Sequence, residues 1–147
     1  MNWTGEELAG HGGRVRRLRE LDWLIGQIRG RMQELAAEFN TIFARSGVRS
    51  RICRARVHAV GGRLAIRYET GSRSRGSATT LSAITDGSGW SIHVADEKRK
   101  ELVDLDRRRR ILNHQYSAIF SERKSLKRLH QDESELRAFL RKRQFQD

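Results

Sequence analysis

Residues 51–70 read RICRARVHAVGGRLAIRYET, two alternating runs joined by Gly61-Gly62. A pair of glycines between two runs of period two is typical of a β-hairpin with a two-residue turn. Pairing across this turn sets Val60 opposite Arg63 and sorts the remaining side chains into an apolar face and a polar face. The expected apolar pairs are Ala59–Leu64, Val57–Ile66 and Ala55–Tyr68, and the expected polar pairs are Arg54–Glu69, Arg56–Arg67 and His58–Ala65.

Apolar residues with a seven-residue period lie on both sides of this hairpin and predict two long helices that pack on each other. The first helix is expected over 14–46 and the second over 96–144, with a break near His130 left open. A short helix is expected over 5–10, where Thr4 and Glu7 have the spacing of a capping box. The apolar seam of the first helix consists of Leu18, Leu21, Ile25, Ile28, Met32, Leu35, Phe39 and Ile42. That of the second consists of Leu105, Leu112, Ile119 and Leu126, widened by Leu102, Tyr116, Leu129, Leu136 and Leu140.

A weaker alternation follows the hairpin and predicts a second one, turning at Asp86-Gly87. The expected fold is therefore α+β, with two long helices forming an antiparallel coiled-coil-like hairpin and a four-stranded antiparallel β-meander inserted over 51–94. At 147 residues the chain is expected to form a single domain, 1–147.

Composition narrows the class of protein. The chain carries 30 Lys+Arg against 18 Asp+Glu, a formal net charge of +12, and 25 of the basic residues are arginine. No run of apolar residues is long enough for a membrane span, and the N-terminal stretch lacks the apolar core of a secretory signal. A single cysteine, Cys53, cannot form an internal disulfide. These features predict a cytoplasmic protein without membrane association.

The positive charge is concentrated around the first hairpin, where residues 48–76 hold eight arginines against one acid, Glu69. In the helices most charges can pair locally, for example Asp104 with Arg108 and Asp106 with Arg110, and we interpret the run 107–110 as a solvated face. The hairpin guanidinium groups are expected to lack protein partners and to await an external polyanion. The candidate nucleic-acid-binding residues are Arg49, Arg51, Arg54, Arg56, His58, Arg63, Arg67, Arg73 and Arg75.

A double-stranded DNA backbone fits this surface best, because arginines bind phosphates and no aromatic residue is expected on the polar face to stack single-stranded bases. Two other interpretations stay open. The protein could be a coiled-coil interaction adaptor whose basic sheet binds an acidic protein partner, or it could associate with RNA or the ribosome. In each case a homodimer through the helix seams is a further expectation.

No sequence motif indicates a catalytic activity. The five histidines and one cysteine show no metal-ligand spacing, and no glycine-rich phosphate loop follows a strand. We therefore expect a non-enzymatic protein with no catalytic residues, no metal and no cofactor.

The chain resembles the mobilisation or relaxosome accessory proteins of bacterial conjugative elements. The resemblance rests on the helix ending EFNTIF (38–43), the basic hairpin 51–69, and the long helix holding Tyr116, Ile119 and Phe120. It implies DNA binding at an origin of transfer and recruitment of a relaxase. It carries no catalytic residue to this chain.

Overall fold

The computed structural model describes residues 10–45, 53–70, 77–78 and 96–144 of the chain. In chain order the elements are helix α1 (His11–Arg45), strand β1 (Cys53–Val60), strand β2 (Arg63–Thr70), strand β3 (Ser77–Ala78) and helix α2 (Asp96–Gln144). The short helix expected over 5–10 falls almost wholly on residues outside these ranges. The class is α+β, with most of the described chain in the two helices.

Helix α1 begins three residues earlier than the sequence suggested. Gly12 and Gly13 lie in its first turn, and the backbone N–H of Arg14 donates to the carbonyl of Gly10 at 3.1 Å, which closes that turn. Glycine weakens a helix interior, but a first turn is tolerant because its N–H groups have no partner within the helix. The predicted seam faces inward. Its buried members are Leu21, Ile28, Met32, Leu35, Phe39 and Ile42, whereas Leu18 and Ile25 are half-buried.

Helix α2 is continuous over 49 residues, so the break considered near His130 does not occur. The hydroxyl of Ser134 donates to the carbonyl of His130 at 2.9 Å, a bond along the helix that satisfies a would-be N-cap residue without ending the helix. Buried apolar residues on α2 are Leu102, Leu105, Tyr116 and Leu126. In contrast, Leu129, Leu136 and Leu140, which extend the stripe in the sequence, are exposed.

The first hairpin has the predicted register at every position. Strands β1 and β2 pair antiparallel from Cys53–Thr70 to Val60–Arg63. Both turn residues have positive φ, 60° at Gly61 and 81° at Gly62, which is the backbone of a type I′ turn. The matching of alternating faces and the glycine pair therefore specify this element from sequence alone.

The predicted four-stranded meander is wrong. The described sheet has the order β1-β2-β3, and β3 is a two-residue strand that pairs Ala78 with Tyr68 and Ser77 with Glu69. It lies just before the strand expected from Thr79 onward, and the segment of the predicted second hairpin, 79–94, falls outside the described residues. In the sequence, the alternation at 79–83 has one large apolar side chain, Leu81, so it is weaker evidence for a strand than the alternation of the first hairpin.

Contacts within the chain divide it into two units. Unit 1 comprises residues 1–26 and 118–147, and unit 2 comprises residues 27–117. In unit 1 the two helical segments run antiparallel: His11 meets His130 with ring centroids 4.8 Å apart, and Arg17 forms a two-bond ion pair with Glu122 at 2.7 and 2.9 Å. The expectation of one domain over 1–147 stays a prediction.

Unit 2 contains the sheet and its core. Phe39 packs edge-on against Tyr68 with ring centroids 5.3 Å apart, and Phe43 stacks on Phe39 at 5.9 Å. Ile66 and Tyr68, on the apolar face of the hairpin, are fully buried. The hairpin thus packs its apolar face into the core of unit 2.

Candidate nucleic-acid interface

Five of the nine candidate residues lie on one side of the hairpin. Alternation along β1 and β2 puts Arg54, Arg56 and His58 on the face opposite to the buried one, together with Arg63 and Arg67. Arg54, Arg56 and Arg63 are exposed, and His58 and Arg67 are half-buried. The other candidates, Arg49, Arg51, Arg73 and Arg75, lie outside the described residues.

A single carboxylate sits among these basic side chains. Glu69 Oε2 accepts a hydrogen bond from Nε of Arg54, while Glu69 Oε1 lies 3.5 Å from Nη1 of Arg56 and 3.1 Å from Nε2 of His58. The contact with His58 is an ion pair only when the imidazole is protonated, and among the described residues its Nε2 has no hydrogen-bond partner. The expectation that the guanidinium groups lack protein partners is therefore wrong for Arg54 and Arg56, because the neighbouring strand brings Glu69 within reach of both. Arg63 and Arg67 also have interaction partners.

Glu69 is held in its charged form. Burial opposes ionisation, but the hydrogen bond from Arg54 and the charges of Arg54, Arg56 and His58 outweigh it and lower the pKa of Glu69 below its usual value. Among the described residues, this side of the hairpin nevertheless carries one acidic side chain, Glu69, against four arginines. The face keeps a net positive charge, and Arg56 stands directly opposite Arg67. Such a like-charge pair disfavours the sheet slightly until an anion lies over it.

Two asparagines fix the position of the hairpin on the helices. Asn40 of α1 accepts from the N–H of Ala55 at 2.7 Å and donates to its carbonyl at 2.9 Å. Asn113 of α2 accepts from the N–H of Ile66 at 2.8 Å and donates to its carbonyl at 3.1 Å. In an antiparallel pair, alternate residues turn both backbone groups away from the partner strand. Ala55 and Ile66 are such residues, and each asparagine forms hydrogen bonds with both backbone groups of one of them.

A buried polar cluster under the sheet adds a third attachment. Oδ1 of Asp106 accepts from the Tyr68 hydroxyl at 2.7 Å and from Nε of Arg109 at 2.8 Å, and Oδ2 accepts from Nε of Arg110 at 2.8 Å. Arg109 also donates to the carbonyl of Ile66 at 3.2 Å, and its guanidinium lies 4.8 Å from the centre of the Tyr68 ring. α2 is thereby bonded to both the backbone and a side chain of β2.

Contacts within this cluster shift the pKa values of Tyr68 and Asp106. Burial of the phenol, reinforced by the hydrogen bond to Asp106, raises the pKa of Tyr68 well above its usual value. Burial opposes ionisation of Asp106, but hydrogen bonds from Tyr68, Arg109 and Arg110 lower its pKa below the usual value. A neutral phenol and an ionised carboxylate are the forms that this geometry requires, and in these forms the cluster attaches β2 to α2.

Two expectations about the helical arginines need correction. Arg109 is only 4% exposed, so the run 107–110 is not uniformly a solvated face. Arg108 is expected to pair with Asp104 on its own helix, but it forms an ion pair with Glu38 of α1 at 3.0 Å. The Asp106–Arg110 pair is confirmed. Arg109 is buried while Arg107 and Arg108 are exposed, because its position along the helix puts it on the side that faces the sheet.

Sequence reasoning missed both asparagines and the role of Arg109. The only signal was that Asn40 and Asn113 directly follow the apolar residues Phe39 and Leu112, where a polar side chain near the buried face needs a partner. Within the described ranges, no group of three or more metal-ligating side chains comes together. Nor does any helix in that part of the chain have an apolar stretch long enough to cross a membrane.

No protein-family model matches this chain, and neither the curated proteins nor the solved structures contain a match to it.

Proposed function

We propose that this protein binds double-stranded DNA, without catalysing a reaction on it, through the polar face of the β1–β2 hairpin. The observation that carries the proposal is a face, fixed to both helices, whose described side chains include four arginines, Arg54, Arg56, Arg63 and Arg67, and one carboxylate, Glu69, which contacts Arg54 and Arg56. Arginine binds phosphate oxygens with directed hydrogen bonds, and each neutralised phosphate releases counterions.

The dimensions of the hairpin suit a repeating anion. Side chains two residues apart on one strand face lie about 7 Å apart. Arg54 and Arg56 can therefore contact successive phosphates along one strand, while Arg67 reaches across from β2. A two-stranded ribbon is also narrow enough to approach a major groove. The described residues of this face include no Phe, Tyr or Trp, which supports a duplex over an unpaired strand as the ligand.

The attachment of the hairpin to both helices also favours binding. A loop that must order itself on contact loses part of its binding free energy to that ordering. Here Asn40, Asn113 and Arg109 hold the hairpin backbone before any ligand arrives. The arginine stems therefore project from a preorganised sheet, and only the ends of the side chains have to rearrange around a phosphate.

The same basic face would also attract an acidic protein or RNA, and one titration series separates these ligands. A fluorescently labelled duplex, a single strand of the same sequence, an RNA duplex and a polyglutamate chain are each titrated with the protein and followed by anisotropy. We expect tightest binding to duplex DNA. If about four phosphates are contacted, affinity falls roughly 100-fold between 50 and 200 mM salt. No binding to duplex DNA at low salt would refute the proposal, and a preference for polyglutamate or RNA would replace it with the corresponding alternative.

The relaxosome resemblance adds little to this proposal. The residues on which it rests include Phe39, Phe43 and Tyr116, all of which are buried. Buried aromatic residues reflect how helices and sheet pack, so the likeness supports a shared layout and not a shared role. The proposal is therefore duplex DNA binding, and recruitment of a relaxase at an origin of transfer stays a prediction.

A further inference from the structure

The C-terminal part of α2 carries an exposed apolar stripe. Leu129, Leu136 and Leu140 are spaced by seven and four residues, which puts them on one line along the helix, and Phe139 lies beside them. Leu136, Phe139 and Leu140 are 59, 65 and 61% exposed, and Leu129 is 43% exposed. Four large exposed apolar side chains within about three turns form a patch that a solvent-exposed helix face does not require.

The stripe lies where α2 has extended past α1. In unit 1 the first residue of α1, His11, is level with His130, since their rings are in contact. Residues 131–144 of α2 continue beyond that level for about 21 Å. Among the described residues, α1 therefore provides no surface along this part of α2.

We propose that a second copy of this chain docks on the stripe, with the two α2 helices antiparallel and Leu129 of each against Leu140 of the other. The choice of occupant and direction comes from the charges between the leucines. Glu133 is half-buried and Arg137 is exposed, one helical turn apart on the same side of the stripe. In the antiparallel register Glu133 lies within one residue of the level of Arg137 of the other copy, and symmetry repeats the pair.

A parallel arrangement lacks this match. In a parallel pair, the flank of the stripe that carries Glu133 and Arg137 faces the opposite flank of the other copy, so these two side chains do not meet and their charges do not favour that alignment. The antiparallel pairing is also a closed two-fold arrangement, in which one patch is its own complement. A single helical segment of three turns is a small interface, so the expected dissociation constant is on the order of 10 µM.

This dimer does not rest on DNA binding and uses a surface separate from the hairpin. It also differs from pairing through the seam of α1, since six residues of that seam are buried within the chain. If both proposals hold, each dimer presents two basic hairpins, and duplex binding becomes concentration-dependent in the same micromolar range.

Sedimentation velocity of the full chain over about 1–200 µM tests the proposal, because the dissociation constant falls inside that range. We expect the mass to rise from 17.0 kDa towards twice that value. Leu136→Ser with Leu140→Ser should keep the protein monomeric across the range, with an unchanged helical circular dichroism spectrum. The matched control, Val103→Ser with Ile111→Ser, removes two exposed apolar residues elsewhere on α2 and should still dimerise.

Charge reversal tests the direction of pairing. Glu133→Arg alone and Arg137→Glu alone should each weaken the dimer at least tenfold, because each variant opposes like charges across the antiparallel interface. An equimolar mixture of the two variants should associate again, since each chain then supplies what the other lacks. A monomer at every concentration, a dimer that survives the double serine change, or single reversals without effect would each overturn the proposal.

Discussion

Replacing Asp106 with asparagine tests whether the buried polar cluster fixes the hairpin on α2. The substitution keeps the shape of the side chain but removes its charge and turns one acceptor oxygen into a donor. Arg109, which is 4% exposed, then has no anionic partner in the cluster, and either the Tyr68 hydroxyl or Arg110 meets an N–H group instead of an oxygen. Removing one partner of a buried ion pair costs about 3–5 kcal/mol.

The exposed Arg110 adds little to this figure, because solvent screens its share of the interaction. We therefore expect Asp106→Asn to lower the free energy of unfolding by about 3–5 kcal/mol at neutral pH, measured by urea denaturation. Asp104→Asn, an exposed acid on the same helix, is the matched control and should change stability by less than about 0.5 kcal/mol.

The dependence on pH follows from the direction of the shift. The pKa of Asp106 is lowered in the folded protein, so its contribution to stability is complete above the unfolded value of about 3.9 and is lost as the pH falls through the folded value. The difference between wild type and Asp106→Asn should be largest near neutral pH and should shrink below about pH 4. A stability loss under about 1 kcal/mol at neutral pH, or a difference that grows on acidification, would refute the assignment of Asp106 as an ionised buried anchor.

Three further sets of substitutions test how the hairpin is attached to the helices, how its turn is formed, and how its polar face binds DNA. Asn40→Ala and Asn113→Ala should each lower the free energy of unfolding by about 1–3 kcal/mol. The first leaves the N–H and carbonyl of Ala55 without the asparagine, and the second leaves the N–H of Ile66 unpaired while its carbonyl keeps Arg109. Faster amide exchange at Ala55 or Ile66 should accompany the loss. Gly61→Ala should cost about 1 kcal/mol through its positive φ alone, because a Cβ there meets no other atom, and Gly61→Asn should cost less. Glu69→Gln should tighten duplex binding several-fold and steepen its salt dependence, because the carboxylate competes with phosphate for Arg54 and Arg56; unchanged or weaker binding would argue against phosphate contact at that point.

The hairpin shows which features the sequence specifies well. Its register follows from local pattern alone, because shifting the pairing by one residue would turn Ile66 and Tyr68 from the core to solvent. The glycine pair is equally local, since the turn requires positive φ at Gly61 and Gly62. The four-stranded meander predicted by the same reasoning is wrong, because the described sheet has the order β1-β2-β3 with a two-residue third strand.

The attachments of the hairpin could not be predicted in this way. Asn40 and Ala55 are close in sequence, but Asn113 and Ile66 are 47 residues apart, and no periodicity links an amide side chain to a particular backbone group. Arg109 lies within a run of four arginines, and only its rotation towards the sheet distinguishes it from Arg107 and Arg108. Long-range polar contacts depend on tertiary placement, which sequence patterns describe only for the apolar faces.

The salt dependence of duplex binding, compared between two double variants, is the most direct test of the hairpin face as a DNA-binding surface. Arg56→Ala with Arg67→Ala removes two cations from the face, and Arg16→Ala with Arg29→Ala removes the same charge from exposed positions on α1. We predict that the hairpin variant binds more weakly and loses about two from the slope of log K against log salt concentration, while its thermal stability is retained. Equal slopes for the two variants would contradict the account, because the affinity would then come from overall charge and not from the hairpin.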